Sequence, residues 1–338
     1  MKIAVDAMGG DSAPKVVVQG AVSAIKEYDV EILLYGDSKK IEQELSKIKK
    51  YPKDKIEMIH TDQVIEMDDS PAASVRRKKN SSISLGVNAV KNKQAEAFVS
   101  AGNTGAVVCA ATLYLGLLPG VERAGIGILF PTLKEPSLVI DVGANIDPKP
   151  IHLLQYAVMA EEYYRYVVGH NSKPTVGLLN VGEEATKGTD FIKQTHQMLI
   201  DGPVNFIGNV EGKEIFSGNC NIIICDGYVG NVALKVTESV AEILAKLLKR
   251  SILKGVLGKL GTLLLYSNLR RFRKDLDYSE YGGAPLLGVD GVIIIGHGRS
   301  SSNAIKNAIR VAKIEVDRKV NERIVDLINA MKFPESNS

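Results

Sequence analysis

The sequence predicts a three-layer αβα fold on a mostly parallel sheet. Two observations carry that expectation. Short apolar runs alternate with stretches of helical apolar period along the whole chain, the pattern of β–α–β units covered on both faces. Glycine-rich turns also follow strand after strand, at Asp6–Asp11, Gly102–Gly105, Gly143, Gly182–Gly188, Asp226–Asn231 and Gly296–Gly298. The clearest unit is Asn221–Lys235, NIIICDGYVGNVALK. Asn221 to Cys225 reads as a buried parallel strand. Asp226–Asn231 breaks it, and Val232, Leu234, Val236, Val240, Ile243, Leu244 and Leu247 then keep the period of a helix. Asn231 opens that helix, where it can cap it or present its amide to a ligand. A helix N-terminus at the carboxyl end of a sheet is a place where anions bind.

Taken in order, Lys2–Val5 reads as the first strand and Pro14–Ile25 as a helix with proline near its first turn. Strand Glu31–Tyr35, polar helix Lys39–Lys50 and short strand Ile56–Ile59 follow. Asp68-Asp69-Ser70-Pro71 caps a helix running into Arg76-Arg77-Lys78-Lys79, and Ser82–Lys91 is the next. Ala97–Ser100 is a strand, with a helix from the Gly102–Ala106 loop through Tyr114. Gly125–Phe130 and Ser137–Asp141 read as adjacent strands around a turn at Thr132–Pro136. Helix His152–Val168, strand Thr175–Leu179, helix Phe191–Ile200 and strand Val204–Gly208 lead to the Asn221 unit. Gly291–Ile295 is the last strand, and one helix from Ala304 to about Met331 closes the chain.

The 338 residues are 45% apolar and 24% charged, which suits one large domain, 1–338, with a substantial core. A net charge of +3 argues against a nucleic-acid partner. Cys109, Cys220 and Cys225, an odd set within apolar runs, point to a reducing compartment without a disulfide framework. The start, MKIAVDAMGG, reads as strand and turn rather than as a signal peptide. The longest uncharged run, Ala97–Val121, is interrupted by glycines; its apolar remainder of about fourteen residues falls short of the roughly twenty that a membrane span needs. A cytoplasmic location is expected.

In a parallel sheet the glycine loops all emerge at the carboxyl edge, and the crevice there is the default site. The chain has no GxxxxGK[ST], and Gly296-His297-Gly298 is a partial dinucleotide pattern only. The loops offer amides, Asn, Thr and Lys, which is chemistry for an oxyanion such as phosphate. Lys187, set among glycines, either pairs with phosphate or a developing oxyanion or is a solvated loop lysine. His297 reads as a base, a hydrogen-bond donor or a turn residue. Asp6 and Asp11 have no His or Cys spaced as a ligand set, so no metal is expected. Cys109 and Cys225 have no base beside them in sequence and read as inert buried thiols.

Leu244–Lys274 carries nine cations, Lys246, Lys249, Arg250, Lys254, Lys259, Arg270, Arg271, Arg273 and Lys274, and no acidic residue. Leucines fill the intervals. The pattern is that of a protruding basic amphipathic helix pair, 244–274, broken near Gly255–Gly261. It suits an anionic membrane surface, where each nearby cation contributes up to about 1 kcal/mol, a dimer contact, or both.

With these residues in view, the chain resembles the PlsX family, the phosphate acyltransferases of bacterial phospholipid synthesis, over essentially its whole length. The resemblance rests on Asp6-Ala7-Met8-Gly9-Gly10-Asp11, Arg76-Arg77-Lys78-Lys79-Asn80-Ser81-Ser82, Ser100-Ala101-Gly102-Asn103-Thr104-Gly105-Ala106, Asp141-Val142-Gly143-Ala144-Asn145, Asn180-Val181-Gly182-Glu183-Glu184 with Lys187-Gly188, and Cys225-Asp226-Gly227-Tyr228-Val229-Gly230-Asn231. It implies transfer of a fatty acyl group from acyl carrier protein to inorganic phosphate, without cofactor. It also implies a homodimer with a fold like the isocitrate/isopropylmalate dehydrogenases and phosphotransacetylases. Lys187 and Asn231 match the family's catalytic lysine and asparagine. The expected phosphate and substrate set is Asp6, Gly9, Gly10, Gly102, Asn103, Thr104, Gly105, Asn145, Asp226, Gly227, Gly230 and His297. Lys249, Arg250, Leu260, Leu264, Arg270, Arg271 and Arg273 are expected to meet membrane or carrier protein, with Arg76–Lys79 a second basic run for the carrier. A membrane glycerol-3-phosphate acyltransferase that uses the product is the implied neighbour. Two other classes remain open: a nicotinamide-linked decarboxylating dehydrogenase of the same fold, and a non-enzymatic membrane scaffold built on Leu244–Lys274.

Overall fold

The computed structural model describes residues 1–169, 173–252 and 281–331, with positions 261, 265, 267 and 268. Its first half is a run of β–α units. Strand β1 (Lys2–Asp6) leads to helix α1 (Lys15–Glu27), β2 (Glu31–Gly36) to α2 (Ser38–Ser46), and β3 (Ile56–His60) to α3 (Pro71–Arg77) and α4 (Ser82–Lys91). Then β4 (Ala97–Ser100) leads to α5 (Thr104–Tyr114). The hairpin β5 (Gly125–Phe130) and β6 (Ser137–Ile140) precedes α6 (Pro150–Tyr163), whose end widens into one π turn over Tyr164–Val168. Next come β7 (Thr175–Leu179), α7 (Asp190–Asp201), β8 (Asn205–Val210), the short α8 (Glu214–Ser217), β9 (Ile222–Ile224) and the long α9 (Gly227–Ile252). Strands β10 (Ala284–Leu287) and β11 (Val292–Ile295) and helices α10 (Ser302–Asp317) and α11 (Val320–Ala330) complete the described chain.

All described strands join one sheet in the order β3-β2-β1-β4-β11-β10-β5-β6-β9-β7-β8. From β3 to β11 every pairing is parallel, as in Ile3↔Ala97 and Val292↔Ala97. From β6 to β8 every pairing is parallel again. Between them lie three antiparallel pairings, β11–β10, β10–β5 and β5–β6. The sheet is mostly parallel, but its two parallel blocks point in opposite directions. The expectation that all six glycine loops share one carboxyl edge is therefore corrected. Those after β1, β4 and β11 form one set and those after β6, β7 and β9 another.

Strands in the middle of the sheet are buried on both faces, which is why they read as near-continuous apolar runs. Alternation still sorts them: Ile3 and Val5 enter the core with α1, α6, α10 and α11, and Ala4 enters the core with α4 and α5. Gly20 of α1 lies against Ile305 of α10, where an added β-carbon would come within 2.6 Å of the Ile305 Cβ. The single closing helix expected from Ala304 to Met331 is two helices. Lys319, at φ +54°, breaks it and turns Val320, Ile324 and Ile328 into the core. The expected residues Leu260, Leu264, Arg270, Arg271 and Arg273, and the side chain of Lys249, lie outside the described residues; Arg250 is exposed on α9.

The α10 carboxyl Glu315 is buried beside Tyr163, and its Oε2 has no hydrogen-bond partner among the described residues. Burial pushes its pKa from 4.5 up to about 8. Between those values the unfolded chain ionises Glu315 while the folded chain keeps the proton. Stability therefore falls as pH rises through that window, by up to about 1.4 kcal/mol per pH unit. Glu315→Gln should melt progressively higher than the parent from pH 5 to pH 8. Melting curves that shift in parallel across that range would show that Glu315 is already ionised in the fold.

Candidate active site

Three loops meet at the ends of β1, β4 and β11. The Asp6 carboxylate, 2% exposed, accepts from Ser100 Oγ at 2.7 Å and from Met8 N at 3.0 Å. Ser100 Oγ in turn accepts from Gly102 N at 3.0 Å. Burial pushes the Asp6 pKa up, against hydrogen bonds from Ser82, Ser100 and the loop amides that lower it. Gly10, at φ +98°, lets Asp11 N donate to Gly298 O at 2.8 Å. The loop after β11 is fastened in turn to α9. His297 Nε2 lies 3.5 Å from Glu238 Oε1, and Arg299 Nη1 lies 3.4 Å from Glu242 Oε2. Arg299 N donates to His297 Nδ1 at 3.0 Å, so Nδ1 is an acceptor and the ring proton sits on Nε2, toward Glu238. Both ring nitrogens are engaged, which favours the donor reading of His297 over the base.

The second set of loops is built around Asp141, which is fully buried at the end of β6. Its carboxylate accepts from the amides of Ile126, Gly143, Ala144 and Asn145 at 2.7–3.1 Å. Burial raises its pKa while these amides oppose the rise. They also fix the Gly143–Asn145 turn, and Gly227 N of the neighbouring loop donates to Asn145 O at 2.8 Å. Helix α9 begins here, at Gly227, with Asp226 Oδ1 accepting from Val229 N at 2.9 Å. Asn231 therefore lies inside the helix and does not open or cap it. Its side chain packs on Gly143, where an added β-carbon would sit 3.5 Å from the Asn231 Cγ.

Lys187 sits in the loop after β7, the strand paired in parallel with β9. Asn180 Nδ2 donates to Lys187 O at 3.2 Å, and Asn209 Nδ2 donates to Glu184 O at 2.9 Å, so side-chain amides shape the loop while the Lys187 side chain stays exposed. The Asn231 loop leaves the same edge of the same block of strands. Helix α9 then runs back along the height of the sheet. Glu238 and Glu242, reached after about 17–23 Å of helix, touch the first set of loops. One helix thus joins both loop clusters, with Asn231 near one and Glu238 near the other. Cys225 and Cys220 are buried; burial holds the Cys225 thiol well above its ordinary range and pushes Cys220 up to about 12. Neither is a ready thiolate.

The family described as "Fatty acid synthesis protein" matches residues 1–323. This chain belongs to that family. The phosphate acyltransferase of Citrifermentans bemidjiense is 47% identical over 334 residues, covering 99% of this chain and 94% of its own. That of Alkaliphilus oremlandii is 46% identical over 331 residues, covering 98% of each. The chain is thus a transferase of the phosphate acyltransferase family. Among solved structures it resembles a phosphotransacetylase from Streptococcus pyogenes, at TM-score 0.63 and 17% identity, covering 94% of each chain. It also resembles a branched-chain phosphotransacylase from Enterococcus faecalis, at TM-score 0.55 and 12% identity, covering 94% of this chain and 99% of that one. Those likenesses establish a shared fold.

Within this phosphate acyltransferase fold, several expected ligands are committed elsewhere. Asn103, 6% exposed, caps α5 by accepting from Ala106 N at 3.0 Å, and its Nδ2 donates to the carbonyls of Glu66, Met67 and Asp69. It has no amide proton left for phosphate and ties the segment before α3 to the start of α5. Asn145 donates to Ala124 O and to Tyr156 Oη, and Asp6 shapes its own loop. Gly9 and Gly102 pack on one another, while Thr104 is exposed at the start of α5 and Gly105 lies against Pro71. The sequence reading missed Asp141 as an organiser and Lys235, Glu238 and Glu242 as neighbours of the loops. The signal was present in Lys235, four residues after Asn231 on a helical period.

Gly230 of α9 packs directly on the Asp141 carbonyl oxygen, and an added β-carbon would overlap it. Since that neighbour is backbone, Gly230→Ala should cost about 1–3 kcal/mol and displace Asn231 from Gly143. At Gly212 nothing lies within 4 Å of an added β-carbon, so Gly212→Ala should stay within about 0.5 kcal/mol of the parent. Urea midpoints compare the two; equal midpoints would mean that the α9 turn yields freely.

Proposed function

We propose that this chain moves a fatty acyl group from the thioester of an acyl carrier protein to inorganic phosphate, giving acyl phosphate for phospholipid synthesis. The observation that carries the reading is the pairing of β7 with β9, because it sends the Lys187 and Asn231 loops out at one edge. Near-full-length similarity to curated phosphate acyltransferases supports it. A phosphate oxygen attacks the carbonyl carbon, forming the C–O bond and a tetrahedral oxyanion, and collapse of that intermediate re-forms the carbonyl and breaks the C–S bond. The phosphate proton passes to the departing thiolate. Lys187 and the Asn231 amide stabilise the oxyanion of the tetrahedral intermediate. The thioester is already activated, and the buried thiols of Cys220 and Cys225 favour direct attack over an acyl-enzyme.

Acyl carrier thioester and labelled phosphate should give acyl phosphate with the parent protein. Lys187→Ala and Asn231→Ala should each lower the rate about 100- to 1000-fold. The double variant should lose less than the product of the single losses, since both groups act on one charge. Full activity of either single variant at limiting phosphate would remove that residue from the site.

Two finer parts of the reading concern α9. Val232, Val236, Val240, Ile243 and Leu247 are exposed along it, a stripe at helical spacing. We take a second copy of the chain to cover this stripe. Lys246 and Arg250 beyond it are exposed and begin the basic segment assigned to an anionic membrane. Sedimentation should give a dimer that Val240→Glu weakens, and anionic vesicles should bind the parent and release it in salt. A monomeric parent would remove the first part, and no vesicle binding the second.

A further inference from the structure

Three charged or polar groups form a chain beside Asn231 that the steps above leave unused. Lys235 follows Asn231 by four residues, so the two side chains share a face of α9, about 6 Å apart along its axis. Both border one hollow of about 380 Å³ on the exposed face of α9, with Val232, Val236, Ser239, Val240 and Ile243, so it runs into the stripe given above to a second copy, with Asn231 at its near end. Lys235 Nζ donates to Glu238 Oε2 at 2.9 Å. The other oxygen of Glu238 faces His297 Nε2 at 3.5 Å. One carboxylate thus ties a helix that starts at one loop cluster to a loop of the other.

Helix stability alone gives little reason for this arrangement. An exposed pair at this spacing contributes only about 0.2–0.5 kcal/mol. Burial pushes Glu238 up, yet His297 and Lys235 outweigh it and hold the carboxyl down at about 2. The carboxylate therefore stays ionised and keeps its grip on both neighbours. An ammonium has three donors, and the bond to Glu238 engages one of them. The others are free to turn toward the hollow that Asn231 borders. A phosphate dianion carries two negative charges, and Lys187 supplies one positive charge. Lys235 is the cation on the same helix face as Asn231.

We propose that Lys235 is a second anion-binding residue of this site, contacting the phosphate co-substrate from the α9 side, and that Glu238 is the positioning residue that fixes where its ammonium points. The proposal rests on the acyl-transfer reading above. Lys235 donates to a phosphate oxygen without leaving Glu238, so no pair has to break when the nucleophile arrives. His297, donating from Nε2 to the same carboxylate, anchors Glu238 from the β11 loop.

The test compares the parent with Lys235→Met, Lys235→Arg and Glu238→Gln in two assays. One is acyl transfer at varied inorganic phosphate. The other is calorimetric binding of inorganic phosphate without acyl donor. Lys235→Met should raise the KM for phosphate about 10- to 100-fold, the loss expected for a charge-assisted hydrogen bond, and leave the KM for the acyl donor unchanged. Lys235→Arg should restore most of the phosphate affinity. Glu238→Gln should raise the phosphate KM in the same direction but by less than Lys235→Met, and leave the KM for the acyl donor unchanged, because the ammonium is kept but loses its aim. An unchanged phosphate KM and binding isotherm in Lys235→Met would overturn the proposal. So would equal losses for phosphate and acyl donor together with a lower melting temperature. If the parent makes no acyl phosphate, the transfer reading fails by itself. The calorimetric comparison of parent with Lys235→Met still decides whether Lys235 holds phosphate.

Discussion

Reversal of strand direction in the middle of the sheet is the constraint on which the site depends. A parallel sheet delivers all its β–α loops to one edge. Here β10 and the β5–β6 hairpin turn the second block of strands over, so its loops leave at the opposite edge. Two loop clusters separated by the height of the sheet need an element long enough to reach both. Helix α9 supplies it, starting against Asp141 and passing the β11 loop at Glu238 and Glu242. Its exposure follows from that task, since a helix spanning between clusters packs little of its length on the sheet.

Buried carboxylates do the local work at each cluster. Asp6 and Asp141 sit at equivalent places, at or just past the end of a strand, and each turns its oxygens to the amides of the glycine loop that follows. A carboxylate accepts several N–H groups where a neutral side chain accepts fewer. It therefore holds a loop of small residues in shape without large side chains, and leaves the outer surface of the loop to other groups. The same logic explains Asn103, which spends all its capacity on α5 and on three carbonyls.

Much of the fold was legible because its strands are local apolar runs. Ala97–Ser100, Gly125–Phe130 and Thr175–Leu179 were read with the bounds they have. Strand β10 was missed because it is four residues long, contains Pro285 and follows two glycines; only its partners β5 and β11 make it a strand. The start of α9 was placed too late because Gly227 and Gly230 are poor helix formers. Both are there for close approach to the Asp141 turn, a tertiary cause that no local pattern contains. Lys319 in a left-handed conformation carried no glycine to announce the helix break. Lys187 and Asn231 stood out through motif and resemblance, whereas Asp141 and Glu238 matter through what they touch.

The strand order also fixes when the parts of the molecule can be finished. The block from β5 to β9 is contiguous in sequence, residues 125–224, and can pair internally as soon as it has left the ribosome. The first block cannot. The free side of β4 is covered only by β11, and α1 is covered by α10, with Glu27 meeting Lys306 at 2.8 Å across the termini of the chain. A polypeptide made from its N-terminal side therefore carries an unpaired edge at β4 and a bare face on α1 until Val292–Ile295 and Ser302–Asp317 are made. The earliest strands to be synthesised are among the last to be enclosed.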